Sequence, residues 1–94
     1  MNTREVDFVY IFSGEESYFP SAVFTSFIEA EKWITSKKLT GCLNEFPLNI
    51  PVYDWAIEKG FFKPQKEYHK ESKFIQSFTS ASIEHWHFED GMIE

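Results

Sequence analysis

Residues 49–62 (NIPVYDWAIEKGFF) constrain the fold of this chain most strongly, because they carry signals for both ends of one short helix. Asn49 suits the N-cap, where its side-chain oxygen accepts a hydrogen bond from an otherwise unpaired amide, and Pro51 suits the first turn. Gly60 is the expected left-handed residue just beyond the last turn. The pattern predicts a helix with a narrow apolar stripe centred on Trp55.

A second helix is predicted after residue 25. Ser26 and Glu29 have the spacing of a capping box, in which each side chain accepts a hydrogen bond from the other residue's backbone amide. Apolar residues then recur at helical spacing on one face, and Trp33 is the largest of them. We expect this face to pack against a sheet.

The remaining segments predict strands and loops. Residues 6–12 (VDFVYIF) are almost continuously apolar and rich in β-branched and aromatic residues, which is typical of a strand that is central or covered on both faces. Further strands are predicted over residues 21–25, 41–48 and 80–88, with loops over residues 13–20 and 62–71. The element order ββαβ-α-β predicts one α+β domain over residues 1–94, with a mostly antiparallel sheet of three or four strands and two helices packed on one face.

The charge balance restricts the class of partner. The chain has 94 residues and a formal net charge of −6, with a sequence pI near 5.0. Because phosphate contacts dominate nucleic-acid affinity, this acidity argues against a nucleic-acid partner and favours a basic protein partner. No apolar stretch has the length of a transmembrane helix, so no membrane role is expected. Cys42 has no second cysteine to pair with, which favours a reducing, cytoplasmic location.

Aromatic residues make up 19% of the chain, as eleven Phe, four Tyr and three Trp. Each buried aromatic side chain removes about 150–250 Å² from water. A core of this size cannot cover all of them, so we expect exposed rings. These rings could form a contiguous binding patch or lie scattered over the surface, and composition does not decide between the two.

The pattern His85-x-His87 is the sharpest chemical feature of the sequence. On a strand, alternate side chains point to one face, so His85, His87 and Glu89 would lie in a row. Two imidazoles and a carboxylate are typical ligands of a zinc or iron site, which His69 or an acidic side chain could complete. The alternative is that the residues between them pack inward while all three face water.

Other patterns give little support for catalysis. Cys42 is expected to be a small core residue, and Asp54 suits the first turn of a helix. The lysine-rich segment 61–73 is expected to be a solvated loop rather than a nucleic-acid surface. The sequence contains no Ser/His/Asp arrangement and no glycine-rich phosphate loop. It therefore predicts no catalytic residues and no cofactor, and it disfavours enzymatic activity without excluding it.

Five motifs extend over nearly the whole chain, from Val9 to Gly91. They are VYIFSG, AVFTSFIEAEKWI, YDWAIEKGFF, FIQSF and EHWHFEDG. As a set they resemble a family of small, stand-alone, uncharacterised bacterial proteins. The resemblance implies a bacterial single-domain protein and carries no catalytic assignment.

These observations favour a protein-interaction module, such as an inhibitor or immunity-type protein that holds a basic partner. The expected contact residues are Tyr18, Phe19, Tyr53, Phe61 and Phe62. Homodimerisation through an edge strand or an aromatic patch is a close variant. Two alternatives stay open. One is a metal-binding protein or metal-dependent enzyme that uses His85 and His87, and the other is a small-molecule binding domain with an aromatic pocket between helix and sheet.

Overall fold

One antiparallel sheet organises residues 7–94, which are the part of the chain that the computed structural model describes. The elements are β1 (Phe8–Gly14), β2 (Ala22–Phe24), α1 (Phe27–Lys37), β3 (Gly41–Pro47), α2 (Val52–Glu58), a 3-10 helix (Glu67–Lys70), α3 (Ser72–Gln76), β4 (His85–Glu89) and β5 (Met92–Ile93). The strand order is β2-β1-β3-β4-β5. The predicted α+β class is confirmed, although residues 7–94 form five strands and three α-helices. Val6, the first residue of the predicted first strand, lies outside the described residues.

The register of the strands defines two faces of the sheet. β1 pairs antiparallel with β3, with Phe12 opposite Leu43, and β3 pairs antiparallel with β4, with Leu43 opposite Trp86. Directly opposed residues share a face, and neighbours along a strand do not. The helix face comprises Tyr10, Phe12, Phe24, Leu43, Trp86 and Phe88. The open face comprises Val9, Ile11, Ser13, Val23, Cys42, Asn44, Phe46, His85, His87, Glu89 and Met92.

Helix α1 covers the helix face. Its buried residues Ala30 and Ile34 form one core with Phe12, Leu43 and Phe88. Partly buried aromatic rings surround this core: Tyr10, Phe24, Phe27, Trp33 and Trp86. Full burial of one large apolar side chain contributes about 1.5–3 kcal/mol, so this interface is a main source of stability for the sheet and α1.

Both ends of α1 are capped. The Ser26 hydroxyl oxygen accepts a hydrogen bond from the Glu29 N–H at 3.3 Å, which satisfies one amide of the first turn. Lys38 has a left-handed backbone with a φ of 57°, and its N–H donates to the carbonyl oxygens of Ile34 and Thr35. The predicted helix start at Ser26 is confirmed.

Helix α2 begins later than predicted. Asn49 has a φ of 66° and does not cap the helix, and Pro51 occupies the N-cap position without a side-chain hydrogen bond. The residue before a proline disfavours helical dihedral angles, so Ile50 delays the start of the helix. The other two predictions are confirmed. Gly60 is left-handed with a φ of 81°, and Trp55 keeps only 6% of its surface exposed.

A second core closes one end of the sheet. Trp55 and Ala56 of α2 are buried together with Ile83, which precedes β4. Phe8 and Phe46 both pack against this cluster although their strand positions lie on opposite faces. The cluster therefore lies across the end of the sheet at which β1 begins.

The last described residues form a hairpin that the sequence did not predict. β4 begins at His85 rather than at residue 80, because the preceding segment turns inward and buries Ile83 in the second core. Asp90 and Gly91 then have φ values of 51° and 87°, as in a type I′ turn, and β5 follows directly. This turn supplies the additional strand. Among residues 7–94, no helix is long and apolar enough to cross a membrane.

Candidate functional site

The loop between β1 and β2, named here the hairpin tip (residues 15–20), presents two adjacent aromatic side chains to solvent. Tyr18 is 96% exposed and Phe19 is 76% exposed. Their neighbours Glu15 and Glu16 are also exposed. Rings with this exposure contribute very little to folding through burial, so their apolar surface is available to another molecule.

Hydrogen bonds hold the backbone of the hairpin tip. The Glu15 N–H donates to the Thr40 carbonyl oxygen at 3.0 Å, and the Ser17 N–H donates to that of Gly14 at 3.1 Å. The Ser17 hydroxyl donates to the Phe19 carbonyl oxygen at 2.9 Å and accepts from the Phe19 N–H at 3.3 Å. This serine turn fixes the backbone that carries the two rings.

Acidic side chains surround the hairpin tip. Glu15 and Glu16 lie in the tip, and residues 89–94, at the same end of the sheet, contain Glu89, Asp90 and Glu94. Lys37 and Lys38 at the end of α1 also lie at this end, where Lys38 packs against Gly91, so acidic residues outnumber lysines there. The tip and residues 89–94 meet at a cleft that Glu15, Glu89 and Glu94 all line. A hydrogen bond with the Glu94 carboxylate, and the repulsion between the two charges, raise the pKa of Glu89. This end of the molecule therefore combines negative charge with two exposed rings.

Two of the expected contact residues, Tyr53 and Phe62, lie in a group of rings that contact one another. This aromatic lobe consists of Tyr53, Phe62, His69, Phe74 and Phe78. The ring centroids of Phe62 and Phe78 are 4.9 Å apart. The Tyr53 hydroxyl donates to the His69 carbonyl oxygen at 2.8 Å. Tyr53 and Phe62 are both half-buried, and their rings stabilise the lobe.

Phe61 combines packing with exposure. Its ring is 54% exposed, and its centroid lies 5.4 Å from that of Trp55. The Phe61 N–H donates to the Ala56 carbonyl oxygen at 2.8 Å, which folds the chain back over α2. The outer part of this ring is available for contact.

His69 has a structural position in the aromatic lobe. Its Nδ1 accepts hydrogen bonds from the N–H groups of Gln65 and Lys66, each at 3.2 Å. Its ring also contacts the rings of Phe62 and Phe74. His69 is therefore part of the aromatic lobe, and it does not lie with the histidine pair of β4.

The histidine pair of β4 lies on the open face. His85 and His87 are both exposed, and their ring centroids are 5.4 Å apart. The Nδ1 atom of His85 lies 3.3 Å from the Ile83 carbonyl oxygen. Across the ladder the two histidines are opposite Asn44 and Cys42 of β3. Within residues 7–94, no group of three or more His, Cys, Asp and Glu side chains is placed to hold a metal ion.

Two potential ligands next to the histidine pair have other partners. Cys42 is half-buried, and its Sγ donates to Asn44 Oδ1 at 3.8 Å. Burial raises the pKa of this thiol. A thiol that keeps its proton is a poor nucleophile and a poor metal ligand. Glu89 continues the row of the histidines, and its carboxyl group is hydrogen-bonded to Glu94.

The space between α1 and the sheet is filled by side chains. Ala30, Ile34 and Leu43 have no exposed surface, and Phe12 and Phe88 are nearly as deeply buried. An aromatic small-molecule pocket at this place would require the core to open.

The order of the hairpin tip has a sequence signal that is not among the predictions above. Ser17 precedes Phe19 by two residues, which is the spacing of a serine turn and indicates an ordered tip. Asn44 and Cys42, by contrast, join the histidine pair only through the register of β3 and β4. No local pattern specifies that register.

Comparison with known proteins gave a family match over nearly the whole chain. Neither a search of curated proteins nor a search of solved structures returned a match. A family model described as "Domain of unknown function (DUF7710)" matches residues 9–94. The expected membership of an uncharacterised family is thereby confirmed, and the chain belongs to the DUF7710 family of domains of unknown function.

Proposed function

We propose that this protein is a protein-interaction module of the inhibitor or immunity type, which binds a basic partner through the hairpin tip. The observation that carries the proposal is the exposure of Tyr18 and Phe19 on an ordered loop. Aromatic side chains at the centre of an interface commonly supply much of its binding energy. Nearly all of the surface of Tyr18 and about three quarters of that of Phe19 are available for this role.

The two exposed rings are large enough to contribute substantially to the affinity for a protein partner. Burying two large apolar side chains contributes about 3–6 kcal/mol. Association itself costs about 4–15 kcal/mol in lost motion. The rings can offset a large part of this cost only if the loop needs little further ordering, and the hydrogen bonds of Ser17 reduce that need.

The acidic surroundings of the tip support a basic partner. Glu15 and Glu16 are exposed beside the two rings, and Glu89 and Glu94 line the adjacent cleft. Complementary charges accelerate and orient the encounter of two proteins. Because these carboxylates are exposed, salt screens them. The association rate should therefore fall as salt rises, whereas the dissociation rate should depend chiefly on the rings.

Site-specific photocrosslinking tests whether the tip is the contact. A benzoylphenylalanine at position 18 replaces one exposed aromatic ring with another and should leave the fold unchanged. Irradiation in the cells that make the protein should give one dominant adduct, with a protein that has a basic surface. The matched control carries the same group at position 28, because Ile28 is 62% exposed on α1. The same adduct from both positions, or none from position 18, would overturn the proposal.

A bacterial origin and a cytoplasmic location belong to the same proposal, with residues 1–94 as one domain. The motif resemblance supports the origin, and the single cysteine, Cys42, supports a reducing compartment. The proposal includes no nucleic-acid or membrane partner, since the net charge of −6 disfavours contact with phosphates.

A further inference from the structure

We propose that His85 and His87 form half of a zinc site, which a second copy of the chain completes with its own pair when two open faces meet. Alternate positions on a strand place both imidazoles on one face, with 5.4 Å between the ring centroids. Zinc binds imidazole nitrogen at about 2.0–2.1 Å with tetrahedral geometry. Two rings at this separation can therefore occupy two adjacent positions on one ion.

The hydrogen bond of His85 favours zinc binding through its other nitrogen. His85 Nδ1 lies 3.3 Å from the Ile83 carbonyl oxygen. A hydrogen on Nδ1 donates to this carbonyl and leaves the lone pair of Nε2 free. Metal-bound histidines generally hold their second ring nitrogen in such a bond, which fixes the tautomer and the ring orientation. His85 already has this supporting contact.

One copy of the chain supplies too few ligands for a closed site. Structural zinc sites have four protein ligands, whereas residues 7–94 bring no three potential ligands together. Cys42 is the neighbour of His87 across the ladder, but it is half-buried and its Sγ donates to Asn44 Oδ1. Glu89 continues the row, but it forms no group of three potential ligands with the histidine pair. Two copies related by a twofold axis would supply four imidazoles.

The open face suits the approach of a second copy. Its residues on β1, β2 and β3 include no lysine, arginine, aspartate or glutamate. Its charge lies at the β4 edge, where Glu89 follows His87, and Glu15 and Glu94 line the same cleft. Zinc would add positive charge at this edge and offset the repulsion between the carboxylates of two copies. Packed sheets lie about 10 Å apart. Two opposed imidazoles and their bonds to zinc can span a gap of that size.

The area of the open face indicates why the dimer would depend on the metal. β1 and β3 have seven residues each, whereas β2, β4 and β5 have three, five and two, so one face covers about 400 Å². Two such faces bury roughly 800 Å², which is less than the roughly 1,000 Å² of a stable interface. Apolar contacts alone would therefore give a weak dimer, and zinc would stabilise it.

Sedimentation equilibrium of the full chain tests this proposal. After treatment with EDTA the protein should sediment as a monomer of 11.1 kDa. Zinc chloride at one ion per two chains should double the mass, and EDTA should reverse the change. His85→Ala and His87→Ala should each weaken zinc-dependent dimerisation at least about tenfold. Both side chains are exposed, so the melting temperature should not change.

Two control variants separate the histidine pair from its neighbours. Cys42→Ser and Glu89→Gln should both dimerise with zinc as the unmodified chain does. A monomer that binds one zinc ion per chain, an unchanged mass, or a zinc-dependent dimer that persists in both histidine variants would overturn the proposal. Loss of the dimer in Cys42→Ser would also overturn it, because the sulfur would then be a required ligand.

Discussion

Tyr18 and Tyr53 show that residue type alone does not determine which rings are exposed and which are packed in this chain. The Tyr53 hydroxyl donates to the His69 carbonyl oxygen at 2.8 Å, and its ring contacts three others, whereas Tyr18 is 96% exposed. The histidines divide in the same way. The ring nitrogen of His69 accepts two backbone hydrogen bonds, and the pair on β4 faces solvent.

The acceptor nitrogen of His69 predicts different outcomes for two substitutions. His69→Leu removes the acceptor of the exposed N–H groups of Gln65 and Lys66, which should lower the free energy of unfolding by about 0.5–1.5 kcal/mol. His69→Asn keeps an acceptor atom near the position of Nδ1 and should lose less. Urea denaturation measures both changes. Equal losses would assign the effect to ring packing and contradict the role of the nitrogen.

The thiol of Cys42 predicts a dependence on pH. Burial raises its pKa, so the folded chain keeps the thiol proton to a higher pH than the unfolded chain. The resulting stability is complete below the pKa of the unfolded thiol, about 8.5, and is lost as pH rises through the pKa of the folded thiol. The pH midpoint of alkylation by iodoacetamide should therefore be higher for the folded chain than for the chain in urea. Equal midpoints would contradict this prediction.

At the scale of elements, the sequence correctly predicts the helix start that a single signal from neighbouring residues determines. The start of α1 follows from Ser26 and Glu29, and their hydrogen bond is present. The predicted start of α2 was wrong because two local signals compete. The effect of Pro51 on the residue before it outweighs the capping tendency of Asn49. β5 was missed because its two residues carry no strand pattern of their own and pair only through the turn at Gly91.

Some candidate contact residues are exposed and others are packed, and the sequence predicts only those whose environment depends on neighbouring residues. The exposure of Tyr18 and Phe19 agrees with a loop marked by Gly14 and Pro20. The packing of Phe62 instead depends on rings that lie further along the chain and reach it through the fold of the lobe. Contacts of this kind cannot be predicted from the residues that flank Phe62.

The turn before β5 predicts a difference between two glycine substitutions. Gly91 and Gly60 have φ values of 87° and 81°, so alanine costs about 1 kcal/mol of strain at either position. A Cβ at Gly91 would also lie 3.0 Å from the Thr35 carbonyl oxygen, whereas one at Gly60 would meet no atom within 4 Å. In urea unfolding, Gly91→Ala should therefore lose about 1 kcal/mol or more beyond Gly60→Ala. The reverse order would mean that the turn does not pack against α1.

At the scale of the whole molecule, the two ends of the sheet differ in charge. The second core lies where β1 begins, and the hairpin tip follows the other end of this seven-residue strand, about 23 Å away. Residues 59–73, which lead from α2 into the aromatic lobe, contain five lysines and two glutamates, whereas residues 7–31 contain only acidic charges. The molecule measures 45 × 33 × 20 Å. The lysine-rich segment 59–73 therefore lies away from the tip. At the tip end the acidic residues Glu15, Glu16, Glu89, Asp90 and Glu94 outnumber Lys37 and Lys38, so the net charge there is negative and attracts basic groups.

The affinity of the crosslinked partner for tip variants tests the central claim most directly. Tyr18→Ala combined with Phe19→Ala should raise the Kd for that partner about 30-fold or more, as loss of about 2 kcal/mol at an interface hot spot requires. The melting temperature should not change, because both rings are exposed. Ile28→Ala, at an exposed apolar residue of α1, should bind as tightly as the unmodified chain. A double variant that is folded and binds with an unchanged Kd would contradict the account.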